Sequence, residues 1–215
     1  MVQTAADHQT ERGHQRKREI LAGASRVFRR QGLHGTGMRD IAAELGMAVG
    51  NLYYYFRDKQ QLLAFCQQES LAGLLALARR VEKSGGGPPE RLYRLIVGHL
   101  RLLHEETPGS LAHLDVEALD GAARQQVQPL RDEYEAALRQ LIRAGVEQGV
   151  FRPVDAKLAS FAILGALNWT AQWYRPGGEA SPRQLGREFA GLLVRGLLPD
   201  GAPFGEPALD QEIEP

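Results

Sequence analysis

A single cysteine, Cys66, stands in the 215 residues. An intrachain disulfide is therefore excluded, and nothing points to an oxidising compartment. Cys66 falls on an apolar helical spacing, where a thiol without a partner reads as a small hydrophobe and not as a redox centre. The polar N-terminus has no apolar central region of the kind that makes a signal peptide. Long apolar runs are missing too: the longest uncharged stretch, Leu158 to Tyr174, is too short and too polar in its second half to span a membrane. A cytoplasmic protein with no membrane partner is expected. No nucleophile with a base, no paired carboxylates and no histidines at metal-ligand spacing stand out, so neither an enzyme nor a metal or cofactor site is expected. Ser84-Gly85-Gly86-Gly87-Pro88-Pro89 resembles a phosphate loop only in its glycines; no strand precedes it and no GK[ST] follows, and it reads as a flexible connector.

Net charge is the remaining absence, with 26 Lys+Arg balancing 26 Asp+Glu. A protein that binds nucleic acid should present a basic surface, and the zero sum hides one. Residues 1 to 60 hold 10 Lys+Arg against 6 Asp+Glu, a charge of +4, which leaves 16 against 20, or −4, for the rest. The basic part is the part suited to phosphate.

Within it, Met38, Ile41, Ala42 and Leu45 recur at helical spacing and form an apolar stripe on a short helix that Thr36 can cap, with Asp40 at its positive end. Gly46 permits the left-handed turn into a second short helix, roughly Val49 to Phe56, which would bury Leu52, Tyr55 and Phe56. Gly50, Asn51, Tyr53 and Tyr54 would then point outward. Two short helices joined by a glycine turn describe a helix-turn-helix, whose second helix enters the major groove of DNA. Gly50 would let the backbone approach a phosphate, and Asn51 and the tyrosine hydroxyls can donate to phosphates or base edges. The rival reading is an ordinary helical hairpin with its tyrosines in a core.

Thr36-Gly37-Met38-Arg39-Asp40-Ile41-Ala42, Leu45-Gly46, Gly50-Asn51-Leu52-Tyr53-Tyr54-Tyr55-Phe56, Asp58-Lys59 and Leu62-Leu63 together resemble the DNA-binding domain of the TetR family of transcriptional regulators. The resemblance implies that Arg39, Tyr53, Tyr54 and Lys59 touch DNA and that Tyr55 and Phe56 pack inward. Ala48-Val49 departs from the Ser/Thr-Lys common there, which removes a usual cap and a usual cation.

Before this unit, residues 1–13 are expected to be disordered, and Arg12, Arg16, Lys17 and Arg18 lead into a helix carrying Ile20, Leu21, Ala24, Val27 and Phe28 that ends near Gly32. The basic cluster fits a solvated face or a DNA backbone contact. A long helix from Asp58 to about Lys83 joins the head to the remainder and could act as a lever between them. Helices then follow over Glu90 to Glu105, around Leu111, Leu114 and Leu119, from about Ala122 to Gln148, over Leu158 to Tyr174, and from Pro182 to Leu197; residues 199–215 read as a disordered tail. The expectation is an all-α protein, with a three-helix domain over residues 14–60 and a helical ligand-binding and dimerisation domain over residues 61–198.

Leu158 to Tyr174 has no polar face, and such a helix must be covered on more than one side. A second copy of the chain is the expected cover, with Ala162, Gly165 and Ala166 allowing close approach and Trp173, Phe189, Leu192 and Leu193 completing a four-helix bundle. Leu92, Ile96, His99, Leu103, Leu114, Tyr134, Leu138, Phe161, Asn168 and Trp169 are candidate ligand-pocket residues, most of which would serve equally as core. The run from Ala166 to Gly178 resembles the end of the ligand domain in a subset of TetR regulators, some of which sense acyl-CoA or other breakdown products. Arg94, Arg101 and Arg175 are then candidate partners for CoA phosphates. The expected function is a homodimeric repressor that reads double-stranded operator DNA through two heads about 34 to 36 Å apart, or a multiple, and is released by a small amphipathic effector such as an acyl-CoA. An effector-independent DNA-binding protein and a helical enzyme are the alternatives.

Overall fold

The computed structural model describes residues 5–106, 119–175, 177–207 and 209. Its described residues form eight α-helices and one π-helical turn. They divide into two compact units, one of residues up to Ser70 with the stretch ending at Val127, the other starting at Leu71 and resuming at Gln128.

In the first unit α1 (Ala5–Gly35) is interrupted at Gly32, whose φ of 74° is left-handed. The helix thus breaks where the sequence predicts, but it begins earlier: residues 5–13 are helical, contrary to the disorder expected from their polarity. Polarity denies this stretch a core to pack on, yet Ala, Gln, Glu and Arg are all good helix formers, and α1 needs only to be extended, not nucleated. Ile20, Leu21, Ala24, Val27 and Phe28 are buried, together with Ile41 and Leu52 from α2 (Met38–Glu44) and α3 (Val49–Tyr55). Thr36 does not cap α2. It is buried and donates to Gly32 O at 2.7 Å, mending the break in α1, while Gly37 is the N-cap residue and Asp40 Oδ2 accepts from its amide at 2.7 Å. The carboxylate expected to favour the helix start through its charge also makes the bond itself.

Glu44 receives Arg26 Nε and Arg30 Nη2, each at 2.7 Å, and so ties α2 to α1. The hydrogen bond from Arg26, then that from Arg30, holds its carboxyl below the usual carboxylate range. α4 (Lys59–Lys83) starts at Asp58, whose Oδ1 accepts from Gln61 N at 2.8 Å as the expected cap.

In the second unit α5 (Pro88–Arg101) runs into the π-helical turn Leu102–Glu106 and packs chiefly on α8 (Pro182–Arg195). Where they pack, a Cβ built on Gly186 would lie 3.0 Å from Val97 Cα, so any larger residue would press on the α5 backbone. α6 (Gly121–Glu147) carries Pro129 within it. α7 (Ala156–Trp173) is capped by Asp155, whose Oδ1 accepts from Lys157 N and Leu158 N, and α8 by a reciprocal pair between Ser181 and Gln184. Residues after Pro199 were expected to be disordered, but Phe204 packs on Tyr93 and Glu206 accepts from the Tyr93 hydroxyl at 2.9 Å while pairing with Arg195 at 3.6 Å. One aromatic ring and one carboxylate suffice to anchor an otherwise polar, proline-rich stretch. The short helix expected around Leu111 and Leu114 lies outside the described residues.

Candidate functional site

In the first unit Gly46, at φ 61°, turns the chain from α2 to α3 as its sequence position requires. Leu52 and Phe56 are fully buried, which fixes the rotation of α3. With those side chains inward, Gly50, Asn51, Tyr53 and Tyr54 stand on the opposite face; Tyr53 is 49% and Tyr54 83% exposed. Tyr55 is half-buried and meets the Tyr54 ring edge-on at 5.1 Å, so it supports the exposed pair from behind rather than sealing a core. Arg39 is exposed on α2. Lys59, at the start of α4, is partly buried, and that burial lowers its pKa. Arg39, Asn51, Tyr53 and Tyr54 thus offer donors from neighbouring turns of the unit.

The basic run before this unit is partly spoken for. Arg16 pairs with Glu19, Arg18 Nε reaches Glu69 at 2.7 Å, and the Lys17 ammonium lies over the Phe56 and Phe65 rings at 5.6 and 5.8 Å. Arg18 and Lys17 thus tie α1 to α4, while the Arg16 pair stays within α1.

In the second unit the ten pocket candidates separate. Leu92, Ile96, Leu103, Tyr134 and Leu138 are buried core, and Leu114 lies outside the described residues. Phe161 and Trp169, expected to line a pocket, instead face outward at 50% and 67% exposure. The helical period explains it: with Ser160, Ile163, Leu167 and Thr170 buried, Leu158, Phe161, Gly165, Trp169 and Trp173 share the other side of α7. Ala162 lies exposed beside them, Ala166 is intermediate, and α8 contributes exposed Leu192 with half-buried Phe189 and Leu193. The Trp173 and Phe189 rings stack at 6.3 Å and join the two helices into one apolar surface.

His99 stays interior and Asn168 is half-buried. His99 is 1% exposed, and its Nδ1 lies 2.9 Å from the Tyr134 hydroxyl. Burial drops its pKa to about 4, against the smaller upward pull of the neighbouring Asn168 amide. A turn further on, His104 Nε2 bonds Thr170 Oγ1 at 2.8 Å and its ring meets Tyr174 at 4.4 Å.

A groove of about 480 Å³ opens between α4, α5 and α6, floored by Leu75, Ala78, Leu95, Ala137, Leu141 and Ala144 and edged by Arg79, Glu82, Arg91 and Glu133. None of the ten candidates lines it. The sequence did carry a signal: Ala78, Ala137 and Ala144 are small residues facing one another across long helices, where small side chains leave space. The three arginines expected to meet phosphates are engaged elsewhere. Arg94 is buried and caps α4 by donating to Gly85 O at 2.5 Å, Arg101 pairs with Glu105 at 3.7 Å, and Arg175 donates to the carbonyls of Gln172 and Tyr174. Arg79, paired with Glu133 at 3.0 Å, and Arg91 are the cations that stand at the groove. No helix among the described residues is long and apolar enough to cross a membrane.

The family description "Bacterial regulatory proteins, tetR family" matches residues 20–65, and "Tetracyclin repressor-like, C-terminal domain" matches residues 85–197. The chain is 27% identical over 191 residues to the HTH-type transcriptional repressor KstR2 of Mycobacterium tuberculosis, covering 86% of this chain and 94% of that one. Among solved structures, the TetR family transcriptional regulator PfmR from Thermus thermophilus shares 34% identity at a TM-score of 0.75, covering 82% of this chain and 97% of its own. AibR in complex with isovaleryl coenzyme A and operator DNA shares 29% at a TM-score of 0.71, covering 86% and 98%. A helix-turn-helix head whose tyrosines face outward, followed by a helical body that matches the family over more than half the chain, leaves one assignment: this protein belongs to the TetR family of DNA-binding transcriptional regulators, which are not enzymes.

Proposed function

We propose that the protein is a homodimeric repressor whose α3 helices enter successive major grooves of a palindromic operator, and that an amphipathic effector of the acyl-CoA class releases it. The observation that carries the DNA half is the outward Asn51, Tyr53 and Tyr54 on a helix rotated by buried Leu52 and Phe56. Arg39, Gly50 and Lys59 complete the proposed contact set. The apolar surface of α7 and α8 supports the dimer, since isolated monomers rarely leave so many large apolar side chains together in water. Support for the effector comes from the groove, an apolar floor with arginines at its edge, and from a relative that was crystallised with isovaleryl coenzyme A. An acyl chain suits the floor, and Arg79 and Arg91 suit the charged head. Effector binding needs a differential affinity of only about 1 to 3 kcal/mol between two forms of the protein to shift operator occupancy.

Fluorescence anisotropy with a labelled fragment from the region upstream of the protein's own gene tests the DNA reading. Affinity should fall steeply with salt, because neutralised phosphates release counterions. Tyr53→Ala should weaken binding about tenfold or more at unchanged melting temperature, since half of that ring makes no contact within the protein. Binding that ignores both salt and Tyr53 would remove the proposed interface.

A further inference from the structure

The charged side chains that edge the groove between α4, α5 and α6 are Arg79, Glu82, Arg91 and Glu133, and their charges sum to zero. An anionic head is therefore not drawn in by a basic rim as a whole, and what each cation is already bonded to decides whether it can serve. Arg91 donates from Nε to the Ser84 carbonyl at 3.3 Å, and no carboxylate among the described residues pairs with it. Its charge is open to a ligand. Arg79 is engaged: its Nη2 donates to Glu133 Oε1 at 3.0 Å, an ion pair that runs from α4 to α6 and so joins two of the groove's three walls. Glu82 stands on the same rim and pairs with no cation among the described residues.

A carboxylate and a phosphate offer a guanidinium the same arrangement of acceptor oxygens. The Glu133 carboxylate thus holds at Arg79 the place that a ligand oxyanion would take, and an anionic head can use that arginine only by displacing it. The exchange is energetically within reach. Both side chains are more than half exposed and a single hydrogen bond joins them, and an exposed pair of this kind favours the paired form by a factor of about five at most. A phosphate carries up to two charges and can accept two bonds from one guanidinium, so it outcompetes one oxygen of one carboxylate. An uncharged head offers Arg79 nothing comparable and leaves the pair in place.

We infer that Glu133 is a built-in competitor for the effector's anionic head: it occupies Arg79 while the groove is empty and gives it up when the head binds. The groove then selects amphipaths by the charge of the head as well as by the apolar chain, accepting acyl groups on a phosphate-bearing carrier over neutral fatty alcohols and esters. This rests on the effector reading above, with the charged head at Arg79 and Arg91, and adds to it the residue that opposes binding.

Isothermal titration calorimetry on the full-length protein with octanoyl-, decanoyl- and dodecanoyl-CoA tests it. Glu133→Gln keeps the shape of the side chain and removes the competing charge, and it should tighten the best of these ligands about threefold or more, because apparent affinity scales with the fraction of molecules whose Arg79 is free. Glu82→Gln removes the same charge from the same rim without freeing Arg79, and it should give less than half of that gain. In an Arg79→Gln background, Glu133→Gln should gain no more than Glu82→Gln does, since nothing is left to compete for. Unchanged or weaker binding by Glu133→Gln, an equal gain from Glu82→Gln, or a gain that persists without Arg79 would each overturn the competitor and leave the effector reading standing. A Glu133→Gln variant that loses melting temperature while its affinity stays put would make the pair a structural tie and equally overturn the assignment. If no acyl-CoA binds the parent protein or any variant, the effector reading fails and takes this inference with it.

Discussion

Gly145 sits in α6 under the ring of Phe151, and a Cβ built on it would lie 2.0 Å from that ring. Phe151 is itself buried and its amide bonds back to Gly145 O at 3.0 Å, so the ring cannot swing aside. Gly145→Ala should therefore destabilise the protein by about 1–3 kcal/mol, read from the urea midpoint, although alanine is the better helix former by nearly 1 kcal/mol. A neutral or stabilising result would show that the α6–α7 connection can yield. His99 makes the second argument at this scale. Its pKa in the folded protein, about 4, lies below the ordinary value of 6.5, so the unfolded chain takes up its proton first as the pH falls. The stability that a neutral His99 allows is whole above pH 6.5 and is lost between 6.5 and about 4, by roughly 3 kcal/mol at most. His99→Gln should flatten that part of the stability profile, and an unchanged slope would assign it to other groups. Nothing in the sequence around His99 showed which side chains would meet its two ring nitrogens; that depended on where α6 and α7 carry Tyr134 and Asn168.

At the scale of elements, helix positions were legible because apolar residues at three- and four-residue spacing must face a core whichever core it is. The cap at Asp58 was legible because its side chain has one job, and the cap was misread at Thr36, which had a competing carbonyl at Gly32 within reach. α7 was the ambiguous element. Its sequence is apolar around most of its circumference, and such a pattern says that two faces are covered without saying which residues belong to which. Packing sent Ile163 and Leu167 inward and left Phe161 and Trp169 outside, so two residues expected in a pocket belong to the exposed face. Leu192, 72% exposed on α8, makes the matching test. Leu192→Glu should leave the monomer folded and shift size-exclusion light scattering from dimer to monomer, because a carboxylate would be desolvated in the proposed bundle. A variant that remains dimeric would place the self-association elsewhere.

At the scale of the whole molecule, operator binding and self-association are one thermodynamic event if two half-sites are read together. The same Leu192→Glu variant should then lose operator affinity without any change in α3, and binding of full strength by a monomer would refute the paired reading. α4 belongs to both units, its start to the first and its later turns to the second, where Leu75, Ala78 and Arg79 line the groove. By itself the sequence determined the helices, the turn at Gly46 and the two tyrosines on the outer side of α3, because each follows from local period and backbone chemistry. Only the tertiary structure decided which face of α7 points to water, that the groove lies between α4, α5 and α6, and that Tyr134, His99 and Asn168 meet. Those are relations between side chains distant in the chain, and a period of 3.6 residues fixes directions on one helix but not the neighbours it will find.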